Sequence, residues 1–201
     1  MSGVERRNQL LDIGRELFAE RGYEATSIEE VAARASVSKP VVYSHFDGKD
    51  DLYDVVVGRE MAALLGRFTD SLASAPAGGP RKLLERAALT LLDYIEDETD
   101  GFRILVRDSP VGAGATTFSG LINDIASRVE YILADEFRGR GYQPELAGLY
   151  SQALVGMVAM TGQWWLSVRR PSKEEVAAHL VNLAWNGLSA LDPRPRLVIV
   201  R

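Results

Sequence analysis

The chain has 201 residues, 46% hydrophobic and 25% charged, with 28 carboxylates against 23 Lys and Arg and a net charge of -5. Such a length buries a substantial core in one extended or two small domains, and the absence of cysteine excludes disulfides and thiolate metal sites and fits a reducing cytoplasm. The start, MSGVERRNQL, has no apolar run of the signal-peptide kind; the longest apolar run, 153–168, is broken by Gln163 and falls short of the roughly 20 residues that span a bilayer, so a soluble protein is expected.

In chain order, LLDIGRELFAERGYEATSI contains a leading helix. A second helix begins after Thr26 and Ser27, either of which can accept the orphan N–H groups of its first turn. Glu29 and Glu30 complement its positive end, and Glu30 stands where a capping-box acid reaches back to Ser27. Ile28, Val31, Ala32 and Ala35 recur at helical spacing as an inner stripe. Ser36 falls in a turn that glycine enters more easily. The pattern restarts at Ser38, a good N-cap, with Pro40 in the first turn where its missing N–H costs nothing.

In this third helix Val42 and Phe46 face the core, leaving Ser38, Lys39, Val41, Tyr43, Ser44 and His45 outward. Two short helices joined by a tight turn form a helix-turn-helix, whose second helix enters the DNA major groove. Ser38 and Lys39 are placed to reach bases or backbone at the helix start, Val41 to touch a thymine methyl, and Tyr43 to bond a phosphate. Pro40 and Ser44 belong to the same surface, and His45 reads as a backbone contact or packing residue. Lys49, after the Asp47-Gly48 stop, is expected to anchor a phosphate, while Thr26 and Ser27 either bind phosphate through the helix N-terminus or simply cap it.

Charge opposes a broad basic footprint, because residues 1–60 hold eight cations against twelve carboxylates. The cations that can share one side are Arg6, Arg7, Lys39 and Lys49, which suffice if two monomers share one operator and predict a shallow salt dependence.

The remainder reads as helical. A helix from Asp50 to about Ala73 carries Leu52, Val55, Val56, Met61, Leu64, Leu65 and Phe68 on its apolar face, and SAPAGGP at 74–80 is a hinge or domain boundary. Further helices are predicted over 81–97, 102–107, 118–138, 144–169 and 172–191, with ends at Asp100-Gly101, 110–114, 139–141 and Arg170-Pro171. Residues 197–200 show a strand-like pattern too short to interpret. LVGMVAMTGQWWL is apolar on nearly every side, with Gly156, Ala159 and Gly162 allowing close approach. Along one face of the last helix lie Val176, Leu180, Leu183, Ala184, Gly187, Leu188 and Leu191. Both helices can pack inside one monomer or make a four-helix bundle with a second copy.

The leading helix together with IEEVAARASVSKPVVYSHFDGKDDL resembles the TetR family of transcriptional regulators, departing at Ser36 and Pro40, where that family carries or often carries Gly, and at Asp50, where it has Glu. The resemblance implies an all-α fold: an N-terminal three-helix DNA-binding domain over residues 1–50, a helical effector-binding and dimerisation domain over 51–192, and a tail over 193–201. It also implies double-stranded operator DNA as partner, a homodimer through the last two helices, and a small-molecule pocket behind the DNA-binding domain. Candidate ligand residues are Phe102, Leu105, Arg107, Phe118, Leu121, Ile122, Met157, Met160 and Trp164, which favour an apolar ligand; each is also ordinary core material.

KPVVYSHFDGKDDLYDVVVGREM, DGFRILVRDSP, QALVGMVAMTGQWWL and AAHLVNLAWNGL are more narrowly similar to the actinobacterial regulators of fatty-acid synthase genes that respond to long-chain acyl-CoA. On that likeness the acyl chain lies between the helices carrying Leu105, Phe118 and Trp164. A multidrug-efflux repressor is the alternative, needing buried carboxylates for cationic drugs; Asp124, Glu130 and Asp135 are its candidates, although their spacing reads as a solvated face. An enzyme has no support: His45 and His179, the only histidines, assemble no metal cluster or triad, and no cofactor is expected.

Overall fold

The computed structural model describes residues 1–73, 79–106, 118–192 and 195. The fold is all-α: α1 (Gly3–Arg21), α2 (Ile28–Arg34), α3 (Lys39–Tyr43), α4 (Lys49–Ala73), α5 (Gly79–Asp97), α6 (Thr99–Val106), α7 (Phe118–Arg140), α8 (Ala147–Val168) and α9 (Lys173–Ser189), with a 3-10 turn at Pro144–Leu146 leading into α8. Among the described residues no strand forms. The strand-like 197–200 segment and the breaks at 74–78 and 110–114 lie outside the described residues.

Local chemistry explains the helix starts. Ser2, Ser27 and Ser172 each accept the backbone N–H three residues on, and Glu5, Glu30 and Glu175 reach back to the serine's own N–H, three complete capping boxes. Ser27 rather than Thr26 therefore caps α2. Thr26 is buried, and its hydroxyl donates to the Gly22 carbonyl at 2.8 Å. Ser38 is the N-cap of α3, but its side chain makes no capping bond.

One expected helix end is corrected. Asp100-Gly101, read as a break, lies inside α6, which begins at Thr99 directly behind α5. Gly101 is there for space: a Cβ at this position would overlap Glu60 Oε2 and stand 2.8 Å from Tyr94 Oη.

The chain divides into two compact units. The first comprises residues 1–69 and 93–121, the second 70–92 and 122–201. In the first, α1 packs on α2 and α6, and α2 on α3. Its core contains Leu10, Phe18, Val31, Val42, Phe46, Leu52, Leu64, Ile95, Phe102 and Leu105, all essentially inaccessible to solvent. At the edge of this core Tyr53 meets Phe18 and Tyr23 edge-on, each at 5.0 Å between ring centroids. In the second unit α8 packs on α9, burying Leu154, Ala159 and Trp165 on one helix and Val176, Leu180 and Ala184 on the other. Trp165 Nε1 donates to the Pro171 carbonyl at 2.8 Å, tying the α8–α9 turn.

The α2–α3 turn carries the strain its composition predicts. Ser36 has φ 55°, the left-handed region that costs an L-residue roughly 1–2 kcal/mol. Ser36→Gly should raise unfolding stability by about 0.5–1 kcal/mol once the greater flexibility of the unfolded glycine chain is subtracted. Ser36→Val should lower it; urea denaturation of the two variants checks both signs.

Candidate nucleic-acid interface

The helix-turn-helix presents one outward surface. Val42 and Phe46 are buried beneath it, whereas Ser38, Lys39, Pro40, Tyr43 and Ser44 are exposed and Val41 and His45 half-buried. Tyr43 is 54% exposed, so it does not pack into the core. Ser44 turns its hydroxyl back to the Val41 carbonyl at 2.7 Å, and the exposed Ser38 makes no side-chain capping bond. Thr26 is the expected DNA contact that does not reach this surface, because its side chain is committed inside the unit.

The cations are arranged differently from expectation. Arg7 lies 4.3 Å above the Phe46 ring and donates to the His45 carbonyl at 2.5 Å, so it holds the end of the α3 segment in place. Lys49 sits 4.1 Å above the Tyr23 ring and donates to the Tyr23 carbonyl at 3.0 Å. Here it joins α4 to the end of the α1 segment, whereas sequence reasoning left its ammonium free for a phosphate. Tyr23 in turn donates to Asp50, a bond that pushes its phenol pKa up to about 12. Arg6 donates to Gln9, and Lys39 forms an ion pair with Glu29 of α2. Sequence reasoning gave Glu29 only a helix-dipole role; its position ten residues before Lys39, across the α2–α3 turn, was not enough to pair them.

Behind the outward surface lies a buried polar network that sequence reasoning missed. Glu60 of α4 is 5% exposed. Its carboxylate accepts from Arg15 Nε of α1 at 2.8 Å and from the Tyr94 hydroxyl of α5 at 3.0 Å. The other arm of Arg15 reaches Glu98 at 2.6 Å, just before α6, and Glu98 also meets Arg67 at 3.5 Å. Arg67 completes the edge of the network on Asp97 at 2.9 Å. Burial disfavours the Arg15 charge, but the facing Glu60 and Glu98 outweigh it and hold its pKa above the ordinary value. Burial, reinforced by Glu60, likewise raises the Tyr94 phenol, so Tyr94 stays a donor. The available signal was Glu60 itself, a carboxylate in register with buried Val56, Val57 and Leu64 on the apolar face of α4.

The expected ligand residues separate into groups. Phe102, Leu105 and Leu121 are buried in the first unit. Ile122 and Met157 are half-buried in the second. Arg107 lies outside the described residues, and Phe118 is described only as the first residue of α7. Met160 and Trp164 are 62% and 51% exposed and share an outer face of α8 with Leu149, whereas Trp165 is buried. Helical periodicity explains the difference: 149, 160 and 164 fall on one side, and neighbouring Trp165 takes the inner one. The predicted apolar face of α9 is divided as well. Val176, Leu180 and Ala184 are consumed inside the unit, whereas Leu183 and Gly187 remain exposed.

A family model described as "Bacterial regulatory proteins, tetR family" matches residues 10–56, and one described as "Tetracyclin repressor-like, C-terminal domain" matches residues 74–197. The HTH-type transcriptional activator FasR of Mycolicibacterium smegmatis is 31% identical over 191 residues, covering 92% of this chain and 84% of FasR. Among solved structures, a TetR-like transcriptional regulator from Rhodococcus sp. RHA1 superposes with a TM-score of 0.72 at 25% identity, over 92% of this chain and 97% of that one. The fatty acid degradation regulator FadR from Bacillus halodurans shares the fold, with a TM-score of 0.74 at 14% identity over 91% of this chain and 96% of its own.

The notch at Gly101 yields a direct test of the network. Gly101→Ala should expel the Glu60 carboxylate from its two donors and cost about 2–3 kcal/mol, below the full price of breaking a buried pair because Arg15 keeps some solvent access. In a Glu60→Ala background the same change should cost under about 1 kcal/mol. Urea denaturation of the four-member cycle reads the difference; an unchanged Gly101→Ala cost in both backgrounds contradicts the notch.

Proposed function

This chain belongs to the TetR family of bacterial regulatory proteins, and we propose that it binds its operator through the outward surface of α3 and the start of α2, as a homodimer, under control of a long-chain acyl-CoA. The family assignment makes it a DNA-binding transcriptional regulator. What supports the finer reading is the kinship to FasR, which extends over 92% of this chain and is not confined to the DNA-binding segment.

On this reading Ser38, Lys39, Pro40, Val41, Tyr43 and Ser44 meet DNA, with Ser27 at the α2 N-terminus beside them. His45 and Lys49 support the surface from its edge. The dimer forms through the outer faces of α8 and α9, where Leu149, Met160, Trp164 and Leu183 expose apolar area that a second copy would cover.

The apolar effector is favoured by chemistry. Phe102, Ile104 and Leu105 of α6 are buried and apolar, and Leu121 at the start of α7 is too. A cationic drug would need a buried carboxylate; Glu60 is already bonded to Arg15 and Tyr94, and Asp124, Glu130 and Asp135 are exposed. This disfavours the efflux-repressor reading.

Fluorescence anisotropy at fixed salt, on duplexes from upstream of the chain's own gene and of the fatty-acid synthase gene, should show binding that palmitoyl-CoA releases and cationic dyes do not. Binding indifferent to palmitoyl-CoA contradicts the lipid reading while leaving the regulator. Independently, Met160→Glu combined with Leu183→Glu should convert dimer to monomer in sedimentation velocity; an unaltered dimer places the interface elsewhere.

A further inference from the structure

We propose that Glu29 restrains non-specific DNA binding by holding Lys39 in an intramolecular ion pair, which specific operator contact exchanges for a phosphate or base. The inference rests on α3 being the DNA-facing helix.

Lys39 is the only cation on α3. Its Nζ lies on the Glu29 carboxylate, which projects from the first turn of α2, and both side chains are at least half exposed, 50% for Lys39 and 57% for Glu29. Neither group is needed for packing. The interaction also holds the Glu29 carboxyl below its ordinary range, through the Lys39 hydrogen bond first.

The surroundings make this pair consequential. Of the other cations in the first sixty residues, Arg7 and Lys49 are held by rings and carbonyls, and Arg15, Arg21, Arg34 and Arg59 each face a carboxylate. Arg6 bonds Gln9. Residues 1–60 thus meet DNA with a net negative charge and with Lys39 neutralised at the centre of the outward surface. Non-specific affinity comes almost wholly from cations that release counterions from phosphates. A protein built in this way grips random DNA weakly. An exposed pair is weak and readily exchanged, so a correctly shaped operator site can draw Lys39 away from Glu29. The gain is in the ratio of specific to non-specific binding, the quantity that matters against a genome of competing sites.

The test uses the full chain as wild type and three variants: Glu29→Gln, Lys39→Gln and the double substitution. Each is titrated by anisotropy onto a 30-bp operator duplex, selected from genomic DNA by the wild type, and onto its scrambled counterpart, at several salt concentrations; circular dichroism melting confirms that each is folded. Glu29→Gln should bind scrambled DNA roughly tenfold tighter at 0.1 M salt and steepen the logarithmic salt slope by about 0.9 per protomer, as one added phosphate contact does. Operator affinity should change less, so specificity falls. Lys39→Gln alone should leave the scrambled slope unchanged, and the double variant should lose the gain.

A gain that survives in the double variant overturns the proposal, since Glu29 would then act by direct repulsion. So does a Glu29→Gln variant that weakens operator binding alone, which would make Glu29 a base contact. An unchanged scrambled affinity in Glu29→Gln overturns it too. Failure of the wild type to select any duplex is a different result: it removes the DNA-facing assignment of α3 and this inference with it.

Discussion

A buried carboxylate constrains the first unit more than any other single group. Glu60 has left water, and it is tolerable there only because Arg15 of α1 and Tyr94 of α5 both donate to it and Gly101 of α6 leaves it room. Three helices are therefore joined at one oxygen pair, and α6 packs close against it at Gly101. An apolar residue at the same place would fill space but would fix neither the rotation of α1 nor the approach of α6, because dispersion contacts are not directional. Arg15 extends the constraint to Glu98, so the short junction between α5 and α6 is tied to the helix that opens the DNA-binding segment. If an effector acts at Phe102 and Leu105, this junction is where its effect would meet α1.

The outward surface follows a different logic. Helix-turn-helix geometry is carried by buried apolar residues and capping boxes, leaving its polar groups for recognition. In this chain, cations expected to be held out for phosphate instead brace the scaffold: Arg7 and Lys49 stack on Phe46 and Tyr23. The acidic balance of the segment is thereby accentuated, since few of its cations are left for phosphate. On the proposed reading, recognition depends on a small set of exposed groups on a well-fixed helix, and affinity would gain from two such helices being presented together.

Much of this was legible in the sequence where local chemistry dominates. Ser27 and Glu30 announce the start of α2, the spacing of Val42 and Phe46 identifies the inner side of α3, and Ser36 in a turn suited to glycine forecasts its positive φ. What was hidden depends on partners distant in sequence. Gly101 looked like a helix terminator because Asp-Gly usually ends an element; its real neighbour is Glu60, forty-one residues earlier. Thr26 looked like a cap but is taken by carbonyls at the end of α1. On α8 the abundance of apolar residues concealed which were inside: Trp165 is buried and Trp164 exposed, a distinction set by α9 packing against one side only.

The proposed regulator stands or falls on DNA sitting against the outward side of α3. Hydrogen exchange of the full chain, alone and saturated with a duplex selected from genomic DNA by the chain itself, tests it directly. The account predicts slowed exchange concentrated in residues 38–46 and at the start of α2, with α8 and α9 little changed by DNA. Protection confined to other helices, with residues 38–46 exchanging as before, would contradict it.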